Sequence, residues 1–82
     1  MNAAWRRHDG ILERELPMRD FDEAFELVGR IARAAEDYER RPDLAISEFN
    51  HVRITIENLH HAGITPAEER LAAKVDAVLE GA

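Results

Sequence analysis

Two short segments of this 82-residue chain carry neighbouring side chains that could exchange protons, bind a metal or bind an anion. The segments span residues 36–41 and 58–61, and the candidates within them are Glu36, Glu39, Arg40, Arg41, His60 and His61. Histidine is suited to acid–base chemistry because its pKa lies near neutral pH. Arginine stays protonated at that pH and cannot act as a base.

His60 and His61 are adjacent, which raises the question of a metal site. Neighbouring histidines in a turn rarely both face one ion, and no Asp, Glu or His stands at metal-ligand spacing from them in the sequence. The chain has no cysteine, so disulfides and cysteine zinc sites are excluded. We therefore interpret the pair as surface turn residues and expect neither a metal nor a cofactor.

Arg40 and Arg41 admit two interpretations of equal weight. Guanidinium groups bind carboxylates bidentately, so the pair, together with His60 and His61, is a candidate contact for an acidic partner surface. Alternatively, the arginines are cations at a helix C-terminus, where they interact favourably with the helix dipole and with Glu36.

The composition limits the remaining classes of function. The length predicts one small domain over residues 1–82, whose thin core would gain stability from an oligomer interface. The formal net charge of −6 disfavours nucleic acid and anionic membranes as partners, since both require a basic surface. No apolar run has the length of a membrane span and no signal-peptide pattern opens the chain, so we expect a cytoplasmic protein.

A β-hairpin is predicted at the N-terminus. Asp9-Gly10 suits a type I′ turn between strands at Ala3–His8 and Ile11–Met18, because both central positions of that turn need positive φ. In the second strand the apolar parity holds Leu12, Leu16 and Met18, and Arg14 interrupts it.

The first helix is predicted to begin after Asp20, which forms a capping-box pattern with Glu23. Its apolar stripe is Phe21, Ala24, Phe25, Val28, Ile31, Ala32 and Ala35. Its opposite face carries Glu26, Arg30, Arg33 and Asp37. Pro42 blocks continuation of the helix.

The second half repeats the pattern of two strands and a helix. Leu44–Ser47 is a candidate third strand, and a fourth is indicated by Val52, Ile54 and Ile56 alternating with polar residues. Thr65-Pro66 with Glu68 predicts the start of a second helix, which ends near Gly81. Its predicted buried residues are Leu71, Ala72, Val75, Val78 and Leu79.

The predicted order is therefore β-β-α-β-β-α. The economical packing is an α+β fold, in which a four-stranded antiparallel sheet carries both helices on its apolar face. Sheet edges need cover or a partner, which again favours self-association.

Several motifs follow one another from Trp5 to Ala77. In the first half they are Trp5, Gly10-Ile11-Leu12-Glu13-Arg14-Glu15 and Asp20-Phe21-Asp22-Glu23-Ala24-Phe25. In the second half they are Ala35-Glu36, Pro42, Asn50-His51-Val52-Arg53-Ile54-Thr55-Ile56, Gly63-Ile64-Thr65 and Leu71-Ala72. In this order the motifs resemble the pterin-4a-carbinolamine dehydratase family.

The resemblance implies where a dehydratase site would lie. The family's signature is His-His-Pro at the end of the first long helix, with a third histidine after the last strand. This sequence has Arg40-Arg41-Pro42 and Leu59 at those positions. Glu68 aligns with a family acidic residue, Glu36 remains, and Glu39 replaces an aspartate. An additional N-terminal helix that is usual in the family is missing from this pattern.

These replacements bear directly on the chemistry. Dehydration of a carbinolamine needs a group that protonates the leaving oxygen and another that accepts a proton from nitrogen. The arginines cannot act as bases and the leucine has no proton to exchange, so no catalytic residue is expected in the family's geometry. One substitute remains open, in which a bulge moves His60 into the third position to act with Glu36 or Glu39.

The sequence is similar to a degenerate bacterial branch of the family, found beside α-carboxysome genes, that lacks the catalytic motif and assists Rubisco assembly. This resemblance implies a non-catalytic assembly factor or chaperone for Rubisco subunits, working as a homodimer in the bacterial cytoplasm in association with carboxysomes. The alternatives are a dehydratase with a rearranged site, a pterin-binding module without turnover, and an interaction protein with another partner.

Trp5 and Phe49 are large aromatic residues for which two roles are open. Either ring could stack on a pterin. In so small a protein we favour them as anchors of the core or of an interface.

Overall fold

The computed structural model describes residues 5–38, 41–58 and 63–81. Its elements are β1 (Arg6–His8), β2 (Ile11–Pro17), α1 (Phe21–Ala34), β3 (Asp43–Ser47), β4 (His51–Glu57) and α2 (Pro66–Gly81). The predicted element order and the α+β class are confirmed. β1 is shorter than the predicted strand, of which residues 3 and 4 of the chain lie outside the described residues.

The four strands form one antiparallel sheet in the order β1-β2-β4-β3. The β1–β2 turn has φ of 49° at Asp9 and 75° at Gly10, as the type I′ interpretation requires. The central strands pair Leu12 with Ile56 and Arg14 with Ile54. This register places the apolar parity of both strands on one face of the sheet.

α1 begins where the capping pattern predicts. The Asp20 side chain accepts a hydrogen bond from the Glu23 backbone N–H at 2.9 Å, and the Glu23 carboxylate accepts one from the Arg19 N–H at 2.6 Å. The first bond satisfies a donor that the first helical turn would otherwise leave unpaired, and the second ties the residue before the cap to that turn. The local sequence therefore determines the start of the helix.

The predicted apolar stripe of α1 is wrong at three positions. Phe21 and Phe25 are 52% and 66% exposed, and Ala32 is exposed as well. At about 100° per residue the buried face is rotated around the helix axis from the predicted stripe, which leaves these three side chains beyond its margin. The buried face instead combines Ala24, Ile31 and Ala35 with Leu27, a position absent from the predicted stripe.

The core consists of two apolar clusters between the sheet and the helices. The first contains Ala24, Leu27, Ile31, Val52, Ile54 and Val75, and the second contains Leu12, Ala35, Ile56, Leu71 and Ala72. Trp5 packs against both clusters, which confirms its role as a core anchor. Val78 and Leu79 are only partly buried, because they pack at the margin of the first cluster. In the part of the chain described, no helix is long and apolar enough to cross a membrane.

Gly10 is a position where a side chain should be costly. A Cβ atom there would lie 3.1 Å from the Gly63 backbone nitrogen, and the φ of 75° is left-handed. We expect Gly10→Ala to lower the free energy of unfolding by about 1–2 kcal/mol, as measured by urea denaturation.

Gly29→Ala is the matched control for this prediction. Gly29 lies inside α1, and its added Cβ would meet the Arg33 Nη1 atom at an ordinary 3.6 Å. Alanine is the better helix former, so this variant should gain about 0.5–1 kcal/mol. Equal effects of the two substitutions would contradict the conformational explanation.

Candidate functional site

The end of α1, the end of β4 and the beginning of α2 meet at one end of the molecule, which we call the degenerate end. The second core cluster joins them, since Ala35, Ile56 and Leu71 pack together there, with Tyr38 and Ile64 at its margin. Three predicted site residues lie within three positions of residues of this cluster in the sequence: Glu36, Arg41 and Glu68. The fold therefore brings together the segments that the family resemblance implicates.

Glu68 is fully buried in the first turn of α2. Its carboxylate accepts a hydrogen bond from the Thr65 backbone N–H at 2.7 Å and another from the Thr65 hydroxyl. The predicted capping interaction is thus present, with both described bonds received by the Glu68 side chain. This carboxylate helps to hold the beginning of the helix.

Arg41 folds back onto the end of the first helical segment. Its guanidinium donates to the Tyr38 carbonyl, and Nη2 lies 3.7 Å from a Glu36 carboxylate oxygen. The side chains of Arg41 and Glu36 remain 52% and 73% exposed. These contacts match the helix-terminus interpretation of Arg41, and its contact with a partner stays a prediction.

The other predicted site residues are Glu39, Arg40, Leu59, His60 and His61, and they lie outside the described residues. The substitute acid–base role of His60 and the partner-contact roles of Arg40, His60 and His61 therefore stay predictions. Asn58, the last described residue before this gap, is buried. Within the described ranges, no group of three His, Cys, Asp or Glu side chains is placed to hold a metal.

A polar cluster on the apolar side of the sheet joins β2 to α2. Arg14 Nη1 donates to Asp76 Oδ1 at 2.8 Å, and the Trp5 indole N–H donates to the same oxygen at 2.8 Å. Arg14 is 17% exposed, and its Nε is buried with no hydrogen-bond partner among the described residues. Sequence reasoning registered Arg14 as an interruption of the stripe but missed Asp76, 62 positions away.

A bidentate ion pair ties β1 to the first turn of α2. The Arg7 guanidinium donates to both Glu69 carboxylate oxygens, at 2.7 and 3.0 Å. The hydrogen bond from Arg7 lowers the pKa of Glu69, and its positive charge adds to the effect. A cavity of about 390 Å³ lies beside this pair and is lined by Trp5 and Asp76 as well.

Removing one partner of the Arg14–Asp76 pair should lower the stability of the fold. We expect Asp76→Ala to lower the free energy of unfolding by about 2 kcal/mol, since it leaves the Arg14 charge and the Trp5 N–H without their acceptor. The combination of Arg14→Leu with Asp76→Asn should recover most of that loss, because it removes the charge and keeps an acceptor for Trp5. Urea denaturation at pH 7 measures both, and an Asp76→Ala variant as stable as the parent would contradict the assignment.

The Arg7–Glu69 pair predicts a pH-dependent contribution to stability. Because folding lowers the pKa of Glu69, its contribution is present above the ordinary carboxyl pKa and is lost as pH falls through the lowered value. Glu69→Gln should therefore have a lower Tm than the parent at pH 7 and an equal Tm near pH 2 in low salt. Glu80→Gln, an exposed position near the far end of α2, is the control. A Tm difference that persists in acid would rule out the ionised carboxylate as its cause.

Comparisons with known proteins agree with this architecture. A family model described as Pterin 4 alpha carbinolamine dehydratase matches residues 1–78. A protein of Mycobacterium sp. (strain JLS), provisionally named a pterin-4-alpha-carbinolamine dehydratase, is 30% identical over 95% of this chain and 82% of its own. A protein of Herpetosiphon aurantiacus with the same provisional name is 32% identical over 98% of this chain and 82% of its own.

Two solved structures share the fold. A transcriptional coactivator/pterin dehydratase from Brucella melitensis superposes with a TM-score of 0.78 at 23% identity, covering 92% of this chain and 81% of its own. A pterin dehydratase-like protein identified as a RuBisCO assembly factor in the alpha-carboxysome superposes with a TM-score of 0.72 at 20% identity. The match covers 93% of this chain and 89% of that protein's own. From the family match over nearly its whole length and the identity to these relatives, the chain belongs to the pterin-4a-carbinolamine dehydratase family.

Proposed function

We propose that this chain is a non-catalytic member of its family that assists the assembly of Rubisco and works as a homodimer. The observation that carries the proposal is Arg40-Arg41-Pro42, which stands where the family resemblance places His-His-Pro, together with Leu59 at the third histidine position. A fold retained without its proton-exchanging groups is of more use as a binding surface than as an enzyme.

The physical basis is the loss of both halves of the acid–base pair. The reaction needs a proton donor to the leaving hydroxyl and an acceptor for the proton on nitrogen. Two permanently charged guanidinium groups cannot accept a proton near neutral pH. A leucine at the third position offers no proton. Three simultaneous replacements leave no member of the family's histidine set to compensate for another.

The described contacts at the degenerate end support the same conclusion. The Glu68 carboxylate is buried and accepts from the backbone and hydroxyl of Thr65. The Arg41 guanidinium is bonded to the Tyr38 carbonyl. Each of these side chains serves a helix terminus. Further support comes from the RuBisCO assembly factor with the similar fold, whose chain this protein covers to 89%.

The homodimer rests on the open edges of the sheet. In the described strand order, β1 and β3 each have a single neighbouring strand. A strand at an edge presents backbone donors and acceptors on which a second copy can pair. In a bacterial cell the assembly function would place such a dimer in the cytoplasm, in association with carboxysomes.

A rearranged dehydratase is the second candidate, and the names of the relatives favour it. Both the Mycobacterium and the Herpetosiphon proteins are provisionally named as dehydratases. In this alternative His60 occupies the third histidine position and acts with Glu36 or Glu39. A pterin-binding module without turnover, or an interaction protein for another partner, would follow from the same fold.

Formation of quinonoid dihydropterin from freshly generated 4a-carbinolamine distinguishes the two candidates. We expect no acceleration by the wild-type chain, because the histidine set is gone. A variant combining Arg40→His, Arg41→His and Leu59→His is the matched control, since it restores the family's set on the same fold. Clear acceleration by the wild type that disappears in His60→Ala would establish the rearranged dehydratase instead.

Co-expression tests the assembly function directly. The chain should raise the yield of soluble, assembled Rubisco, measured by native gel and carboxylase activity, relative to an empty vector. Yield that does not change, with both proteins expressed, would count against the assembly proposal whatever the dehydratase assay shows.

A further inference from the structure

The β3–β4 turn carries two side chains in an unfavourable backbone conformation. Glu48 and Phe49 have φ of 51° and 61°, in the left-handed region where glycine is the default residue. Such strain persists only when neighbouring contacts enforce it, and it is concentrated at sites with a function. A phenylalanine at such a position therefore calls for an explanation.

The turn is held in place from the side of β2. The Asn50 N–H donates to the Glu48 carbonyl at 2.7 Å. Asn50 also makes two hydrogen bonds with Met18. Its carbonyl accepts from the Met18 N–H at 2.8 Å, and its side-chain amide donates to the Met18 carbonyl at 2.9 Å. The Phe49 side chain, however, is 64% exposed. The strained backbone is thus held by hydrogen bonds, while the aromatic side chain at its centre is mostly exposed and not buried in this chain's core.

The other exposed phenylalanines lie at the same end of the molecule. Met18, which contacts the turn, precedes the start of α1 at Phe21 by three positions. Phe21 and Phe25 stack with ring centroids 6.2 Å apart and are 52% and 66% exposed. Together Phe21, Phe25 and Phe49 form what we call the aromatic end. It lies opposite the degenerate end, because α1 and β4 both begin at the former and finish at the latter.

Acidic side chains surround the aromatic end. Asp20, Asp22, Glu26 and Glu48 are exposed around it, and Arg19 pairs with Asp20. A cavity of about 580 Å³ next to Phe25 is lined by three carboxylates, those of Asp22, Glu23 and Glu26, and by two cations, Arg19 and Arg33, so acidic groups remain in excess. Docking of two aromatic ends on each other would oppose carboxylates to carboxylates on a chain of net charge −6, which disfavours a second copy as occupant.

We propose that the aromatic end is the surface through which this chain docks on its protein partner, and that the partner presents an apolar slot with a rim of lysine or arginine. Exposed aromatic side chains supply large contact area at low entropic cost, and acidic rims steer basic surfaces toward them. The inference rests on the proposed function, in which the partner is a Rubisco subunit. It places the docking surface away from Arg40 and Arg41.

Phe49→Gly separates folding from docking. Glycine suits a φ of 61°, so this variant should have an unchanged or higher Tm and should bind purified Rubisco at least about tenfold more weakly. Phe25→Gln should weaken binding in the same way. Glu57→Gln is the control, because it removes an exposed carboxylate at the other end of β4, away from the aromatic end, and should bind as the wild type does. The wild-type affinity should fall as salt rises.

The outcomes distinguish this inference from the proposed function. Wild type that promotes Rubisco assembly, with both phenylalanine variants defective and Glu57→Gln active, supports the docking surface. Wild type and phenylalanine variants that are equally active, with Arg41→Ala defective, would overturn the inference and leave the proposed function standing. Wild type without any effect on Rubisco would overturn both. If Phe49→Gly instead dissociates a wild-type oligomer in analytical ultracentrifugation, the aromatic end joins copies of this chain and the inference fails.

Discussion

The apolar face of the β2–β4 pair is the surface to which both helices of the protein are bound. Leu12, Ile54 and Ile56 on that face are fully buried, and each core cluster combines residues of this pair with residues from both helices. A chain of 82 residues has little other apolar surface to bury. The two strands therefore determine where the remaining elements pack. Trp5 extends the same constraint to the N-terminal segment by packing on both clusters.

The two ends of the sheet differ in whether their side chains make contacts within the chain. At the degenerate end, the described groups are engaged within the chain, since Glu68 receives bonds from Thr65 and Arg41 donates to a carbonyl. At the opposite end, Phe49 is exposed on a strained turn, and little of its ring is used by the core. The core and the surface depend on different residues, so the side chains at either end can differ among members of the family without loss of the fold.

Polar contacts between α2 and the N-terminal part of the chain account for how α2 is aligned. Asp76 accepts from Arg14 and from Trp5, and Glu69, two helical turns earlier, accepts from Arg7. The apolar contacts of α2 bring it onto the sheet, but such contacts are non-directional and tolerate rotation or sliding. Hydrogen bonds of defined geometry remove that freedom. The strands β1 and β2 thus determine the register of a helix that follows them by some fifty positions.

Features that depend on near neighbours could be predicted from the sequence: they are the Asp9-Gly10 turn, the cap at Asp20, the alternation of β4 and the start of α2. Each arises from φ preferences or hydrogen bonds within a few residues, and the family motifs add the order in which these elements pack. The buried arc of α1 could not be predicted in this way, because either Phe25 or Leu27 could have faced the sheet and their hydrophobicity does not rank them. The ion pair between Arg14 and Asp76 could not be predicted either, since its partners are 62 positions apart and meet only when β2 and α2 are packed together.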